Sequence, residues 1–415
     1  MQVCVIGAGI IGVSAAFALS RDGHDVTLLD REGVVAGASS GNAGAFAFAD
    51  VIPLATPGIM KKAPKWLLDP LGPLSIPPAY ALNIAPWLIR YWRASWRDRY
   101  AAALKAQSEM MRLSQAALDA LVADLQLADL IRPEGQMQLY EGETAFQASQ
   151  KGWDERKRAG VKFEFLTGAE AIAEIQPGID PRFTHAGFTP DWKNVTDPAL
   201  WTRRIAEEAQ RLGASFARRE VTRIEPVDQG AIVHSAEGAE RFDKVVLAAG
   251  AYGNPLLKSL GLKLPLETER GYNTTLPAGA FDLKTHLTFS DHGFVVTKIG
   301  EGVRVGGAVE LGGMRLPPRM ARAGALLTKA KRFLPTLDTE GGTQWMGFRP
   351  SMPDSLPVIG AHPDTSSVVF AFGHGHLGLT QSAGTARVVA DLIAGRTPPL
   401  DLTPFRPTRF AGYRA

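Results

Sequence analysis

Residues 2–30 read QVCVIGAGIIGVSAAFALSRDGHDVTLLD, and the order of features in this stretch decides the fold. Gln2 to Ile6 form a short apolar run, as a strand buried on both faces would. Gly7, Ala8, Gly9, Ile10, Ile11 and Gly12 then make the pattern G-x-G-x-x-G. An apolar, Ala-rich helix is expected to about Arg21, with Gly23 as its stop. A further strand, Asp25 to Asp30, ends on an acid. Gly7 permits the tight turn, Gly9 lets the backbone approach a pyrophosphate, and Gly12 lets the helix pack on the strand. The helix N-terminus offers free N–H groups and positive partial charge to phosphates. Asp30 is placed to accept hydrogen bonds from ribose hydroxyls. The glycine pattern alone fits any glycine-rich turn. Strand, turn, helix, strand and acid in that order point to dinucleotide binding, without saying which dinucleotide.

Outward from this unit, Arg31 to Gly44 read REGVVAGASSGNAG. Its small and polar residues, Ala43 and Gly44 among them, suit a backbone lying along a ligand. Ser39, Ser40 and Asn42 are candidates for bonds to a diphosphate or ribityl chain, the alternative being a flexible surface loop. Asp197 and Pro198 open a helix as N-cap and first-turn residue, and Gly213 ends it after about Leu212. A strand carrying Val221 follows, and another, Lys244 to Ala248, runs into Ala249, Gly250 and Ala251. The last such unit is a strand, Val368 to Phe372, followed by Gly373, His374, Gly375, His376, Leu377 and Gly378. A helix then runs from about Leu379 and Thr380 to Ile393, its positive pole behind a glycine turn.

Composition sets the frame. A chain of 415 residues suits two interleaved domains, and 45% apolar with 21% charged residues is ordinary for a globular protein. Its 45 basic and 42 acidic side chains leave a formal charge of +3, which gives no case for nucleic acid as a partner. The single cysteine, Cys4, has no partner within the chain and sits in an apolar strand, so a reducing, cytoplasmic setting and an inert thiol are expected. The chain opens on a strand, without an export-signal pattern, and no apolar run reaches the roughly 20 residues of a membrane span. No metal-ligand spacing is present.

With these segments placed, the chain resembles the D-amino acid oxidase-like flavoproteins, and among them the bacterial D-amino acid dehydrogenases and D-hydroxyproline dehydrogenases. The stretches VIGAGIIGVSAAFALS, ASSGNAG, VVLAAGAY, GFRPSMPDSLPVIG and GHGHLGLTQSAG carry the resemblance, in order, from residue 2 to about 395. It implies FAD rather than NAD. It also implies an α/β (α+β overall) fold, in which a Rossmann-like FAD-binding domain is interleaved with an antiparallel-sheet substrate domain. The expected boundaries are 1–50, 195–262 and 346–398 for the FAD domain, 51–194 and 263–345 for the substrate domain, and 399–415 as a C-terminal tail. The resemblance makes Arg349 the anchor for the substrate carboxylate, a role that suits a planar two-pronged guanidinium. His376 falls where related glycine oxidases have a second arginine, and Phe294 where they have an aromatic hydroxyl. Tyr272 and His292 are then candidates for the second carboxylate partner, each with a structural alternative. Asn42 and Arg349 stand where some relatives attach FAD covalently, so non-covalent FAD is expected.

The implied reaction is oxidation of the Cα–N bond of a D-amino acid, apolar or cyclic, with hydride passing to the flavin. The Gly373 to Leu379 turn would position the ring and stabilise its reduced, anionic form. His374 and His376 are open as aids to amine deprotonation or as packing residues. The acceptor is open between a quinone or other respiratory carrier and oxygen, and a non-catalytic FAD-binding subunit of a larger assembly is the third alternative. The stretch from Trp87 to Arg99 mixes Trp87, Trp92 and Trp96 with Arg90, Arg93, Arg97 and Arg99. It reads either as a helix lying on the inner face of the membrane or as a cover for the substrate cleft.

Overall fold

In the computed structural model, which describes residues 1–69 and 72–415, Gln2–Ile6 is an interior strand of a six-stranded sheet. The order is Ser215–Arg218, Asp25–Asp30, Gln2–Ile6, Lys244–Leu247, Thr365–Phe372 and Val358–His362, all parallel except the last. The apolar run explains this position. Val3 and Val5 enter the core on one face of the sheet, Cys4 and Ile6 the core on the other. With both faces covered, polar residues would be buried without partners. Cys4 is fully buried, and burial pushes its thiol pKa up, so it is an inert core residue.

One face carries the helix Ile10–Arg21, packed against Pro198–Arg211 and Gly378–Ile393. Asp197 caps its helix by accepting from the N–H groups of Ala199 and Leu200. The other face carries a three-stranded antiparallel sheet, Val221–Val227, Gly230–Ser235 and Gly238–Phe242.

The larger sheet has nine strands. Its path is Thr343–Ser351, Glu267–Leu276, Gly302–Glu310, Phe294–Ile299, His286–Phe289, Gln136–Glu141, Phe183–Thr189 and Glu164–Thr167, with Leu74–Ser75 paired to Gly302–Glu310. It is antiparallel except where His286–Phe289 meets Gln136–Glu141 and where Leu74–Ser75 joins. The helix Ala321–Phe333 covers its core.

The chain does not divide between the sheets where the sequence suggests. The boundary expected at 346 falls inside Thr343–Ser351, which stays in the nine-stranded sheet to its end. The helix Arg97–Leu125, expected on the substrate side, buries Leu118 and Leu121 in the core beside Val3 and Val5. Apolar positions three and four apart direct that packing, whatever the helix's place in the chain. Residues 399–415, the expected C-terminal tail, pack onto the fold. Phe405 and Phe410 are buried, and Arg414 pairs with Leu262.

The stretch 87–99 is not one helix. Ala81–Ala94 and Arg97–Leu125 meet at Ser95 and Trp96, where Trp96 takes an extended backbone as N-cap. Trp87 is buried, stacked on Tyr91, while Leu82, Ile89, Trp92 and Trp96 are exposed. Arg93 is held by Asp98 at 2.8 Å and lies over the Trp96 ring. Among the described residues no helix is long and apolar enough to cross a membrane.

Candidate active site

A cleft of about 1400 Å³ lies between the ends of the parallel strands and the face of the nine-stranded sheet. That exceeds the roughly 300–1,000 Å³ of an ordinary small-molecule pocket, leaving room for a large ligand and a small one together. Gly7, with φ of 106°, makes the turn at one end, and a Cβ there would lie 2.5 Å from Ala248 O. A Cβ on Gly12 would lie 1.8 Å from Gly7 O, so only glycine lets the helix start this close to the strand. Ser39 Oγ accepts from Ile10 N at 2.9 Å. Val13 N is satisfied by Gly9 O. Among the described residues, the N–H groups of Gly9 and Ile11, which line the cleft, have no backbone partner, the arrangement that holds an anion.

Asp30 lines the cleft, and its carboxylate is already in use. Oδ2 accepts from Ala8 N, and Oδ1 accepts from Glu32 N and Gly33 N, each within 3.0 Å. Asp30 therefore holds the glycine turn in place as well as presenting an acid to a ligand. Arg31 stacks on Tyr252 at 3.8 Å, and together with Val221, Ala249 and Gly250 they line the same end.

The loop Ser39–Gly44 is pinned, not flexible. Asn273 Nδ2 donates to Gly41 O at 2.7 Å, and Arg304 donates to Asn42 O. A Cβ on Gly41 would meet the Trp345 ring at 2.4 Å. Asn42 closes the loop by donating to Ser39 O and accepting from Gly44 N. Ser39, Asn42 and Ala43 line the cleft. Ser40, expected to reach a ligand, donates instead to Gly37 O. Gly44 packs against Val195 and Ile299.

At the other end, the helix Gly378–Ile393 points its N-terminus at the cleft, where Gly375, His376, Gly378 and Leu379 are exposed to it. Several expected contacts support this end from behind. Thr380 Oγ1 accepts from Ala47 N, Leu377 is buried beside Met111, and Gly373 packs on Met352. His374 bonds Thr385 Oγ1 at 3.0 Å, and burial pulls its pKa down to about 3, so its ring is a neutral structural group.

Arg349 is brought into the cleft. Its Nη1 donates to Ala308 O at 3.0 Å, and it forms no ion pair among the described residues. His376 lines the same cleft, near enough to feel the charge of Arg349. Although His376 is open to the cleft, desolvation by the surrounding walls lowers its pKa, with Asp50 and Glu269 pulling it up and Arg349 pushing it down. Of the other two candidates, Tyr272 also lines the cleft but has its hydroxyl engaged, and His292 does not line it. Tyr272 donates to Glu310 Oε1 at 3.0 Å and accepts from Arg319 N, so its hydroxyl is spent in the core of the large sheet. His292 bonds Glu141 at 2.7 Å and lies on Phe333, outside the cleft. Strand alternation governs which side chains of this strand turn toward Arg349. Glu269, Gly271 and Asn273 share the cleft face, and Arg270 the opposite one. Counting by twos along ETERGYN would have brought out Glu269 and Asn273.

The likenesses to known proteins agree with this geometry. A family profile described as FAD dependent oxidoreductase matches residues 2–392. The chain is 35% identical over 417 residues to a D-amino-acid oxidase of Bradyrhizobium diazoefficiens, covering 99% of each chain. It is 32% identical over 424 residues to a D-amino acid dehydrogenase of Rhizobium johnstonii, covering 99% of this chain and 100% of the other. Among solved structures, glycine oxidase from Geobacillus kaustophilus superposes with a TM-score of 0.78 at 23% identity, over 99% of this chain and 100% of that one. L-proline dehydrogenase from P. horikoshii gives 0.75 at 19% identity, over 98% of each.

Proposed function

This chain belongs to the family of FAD-dependent oxidoreductases, and from that premise we propose that it oxidises the Cα–N bond of a D-amino acid to the imino acid. The observation that carries the proposal is Arg349, a guanidinium in the cleft without a carboxylate partner among the described residues. An amino acid presents the missing carboxylate.

The residues fit FAD. The free amides at Gly9 and Ile11 suit its diphosphate, and the cleft face of Asp30 suits its ribose. The Gly378–Ile393 N-terminus suits a ring that becomes anionic on reduction. When bound, FAD supplies the acceptor for the hydride leaving Cα. The protein's part is to orient Cα through Arg349 and to keep the neutral rings of His374 and His376 at the cleft floor.

The substrate's own side chain is proposed to be apolar or cyclic, such as D-proline or its hydroxylated form. The acceptor is proposed to be a quinone or other carrier, reached beside the helix Ala81–Ala94, whose Asn83 lines the cleft while Ile89 and Trp92 stay exposed. Screening D- and L-amino acids with a dye acceptor, alongside a peroxide assay in air, tests both points. Turnover of D-amino acids without stoichiometric peroxide is expected. Peroxide equal to product would make the protein an oxidase, and turnover of L-isomers alone would overturn the stereochemical assignment.

A further inference from the structure

Glu269 stands directly opposite Arg349 in the register between the strands Glu267–Leu276 and Thr343–Ser351. Opposed residues on an antiparallel pair project from the same face, and both line the cleft. Glu269 is only 6% exposed. A carboxylate withdrawn from water to that extent ordinarily carries a partner, because its desolvation costs several kcal/mol. Among the described residues Glu269 has no side-chain hydrogen bond and no cation within 4.0 Å, Arg349 included. The arginine and the glutamate are neighbours of opposite charge that have not closed on each other.

Among the described residues, none of the groups around Glu269 bonds it directly, although its charge and that of Arg349 act on each other. Arg349 reaches toward Ala308 O. His376, from the turn before Gly378–Ile393, is held toward its neutral form by desolvation. Tyr91, from the helix Ala81–Ala94, spends its hydroxyl on Leu54 O. Asp50, close enough to His376 to influence it, adds a second negative charge. Behind Glu269 lies a cavity of about 20 Å³ shared with Tyr91, Gln107, Ser351 and His374, enough for one water molecule. The carboxylate thus lines both the cleft and this small cavity.

An α-amino acid carries a carboxylate and an ammonium on one carbon, the same pair of charges in mirror order. We propose that Glu269 receives the α-ammonium group of the substrate and takes its proton, while Arg349 holds the carboxylate. This rests on the functional reading above. The balance is simple. The carboxylate of Glu269 gains one proton, and the amine nitrogen keeps its lone pair. When the C–H electron pair leaves Cα for the bound oxidant, that lone pair forms the C=N bond, and the product leaves as the iminium ion. The proton transfer needs the nitrogen within hydrogen-bond reach of Glu269, and an Arg349-bound amino acid brings it toward Glu269 because its two charged groups share one carbon.

The test compares the FAD-loaded parent with Glu269→Gln and Glu269→Asp, after equal FAD content and equal Tm confirm intact folding. Two ligands are used: the D-amino acid that reduces the parent fastest, and the carboxylic acid that differs from it only by hydrogen in place of the amino group. Dissociation constants come from the perturbation of the flavin absorbance, a binding readout. Reduction rates come from single turnover across pH. Glu269→Gln is expected to weaken the amino acid by about 10-fold or more while leaving the deaminated acid unchanged or tighter. Its reduction rate should rise with pH as free amine appears, and Glu269→Asp should restore part of the parent profile. Unchanged amino-acid binding and pH profile in Glu269→Gln overturn the proposal. Equal weakening of both ligands overturns it too, because Glu269 would then be positioning Arg349. A parent that oxidises no amino acid refutes the functional reading itself, and this proposal with it.

Discussion

Gly271 leaves the space that Arg349 fills: a Cβ at position 271 would lie 2.3 Å from Arg349 Nη2 and 2.4 Å from its Cζ. The guanidinium can cross the neighbouring strand into the cleft only because that strand has no side chain there. Gly271→Ala is therefore expected to displace Arg349 without touching the dinucleotide turn. KM for the amino acid should rise by about 10-fold or more, with FAD content unchanged. A Gly271→Ala enzyme with parent kinetics would mean that Arg349 is free to move aside.

Arg349→Ala should raise KM by roughly 10²-fold or more, about 3 kcal/mol, since a buried ionic anchor loses one partner. Arg349→Lys should recover only part, because an ammonium cannot make the two-pronged contact. Steady-state kinetics on both variants decide the point. Near-parent KM and kcat in Arg349→Ala would move the anchor elsewhere.

Asp30 carries a double load, holding Ala8, Glu32 and Gly33 by their N–H groups while facing the cleft. Asp30→Ala should weaken FAD binding by about 1.5–3 kcal/mol and also lower Tm, because the turn loses its support. Asp30→Asn, which keeps an acceptor oxygen, should lie between. Calorimetric titration of apoprotein with FAD, paired with thermal unfolding, separates the two losses. Denaturing the holoprotein should release all the FAD into the supernatant, and yellow precipitate would show a covalent link.

Arg270 and Glu310 form a fully buried ion pair at 3.0 Å. Arg270 also donates to the carbonyls of Gly312, Gly313, Leu316 and Pro317, so it shapes a segment bordering the cleft. Removing one partner strands the other charge in the core, and Glu310→Ala should cost about 3–5 kcal/mol. Urea unfolding measures it. A loss under about 1 kcal/mol would show that the carbonyls alone satisfy Arg270.

His286 and His374 are buried, and burial pulls both down to about 3 from an ordinary value near 6.5. Between these values the unfolded chain binds protons that the folded protein refuses. Stability is therefore complete above about pH 6.5 and falls as the pH drops, by up to about 1.4 kcal/mol per unit for each ring. His374→Gln, able to keep a bond to Thr385, should flatten the fall between pH 6 and 4 by about one proton. Equal slopes in parent and variant would contradict the assignment.

Ile89 and Trp92 are exposed on the helix whose Asn83 reaches the cleft. Replacing both by Ser should reduce quinone-linked turnover and spare single-turnover reduction by substrate. Loss of reduction itself would make this helix a wall of the substrate site.

Much of the molecule was legible because some residues answer to local rules. The run Gln2–Ile6, the glycines at 7, 9 and 12, the cap at Asp197 and the turn before Gly378 each have one low-energy conformation that their neighbours in the chain dictate. The dinucleotide half of the cleft is built from such units, so the sequence by itself determined it. The substrate half is built from contacts between strands far apart in the chain. Which side chain stands opposite Arg349 turns on strand register, and one step of register would exchange the faces. Tyr272 and His292, candidates for the second carboxylate partner with a structural alternative each, bond Glu310 and Glu141. The space above Gly271 exists only because the strand bearing Arg349 is its neighbour. That neighbour is about 80 residues away in sequence, and loop-closure physics lets almost any such pairing form at similar cost. Only the packed sheet, in which a single register buries the apolar face and leaves two opposite charges unpaired at the cleft, decided which residues the substrate meets.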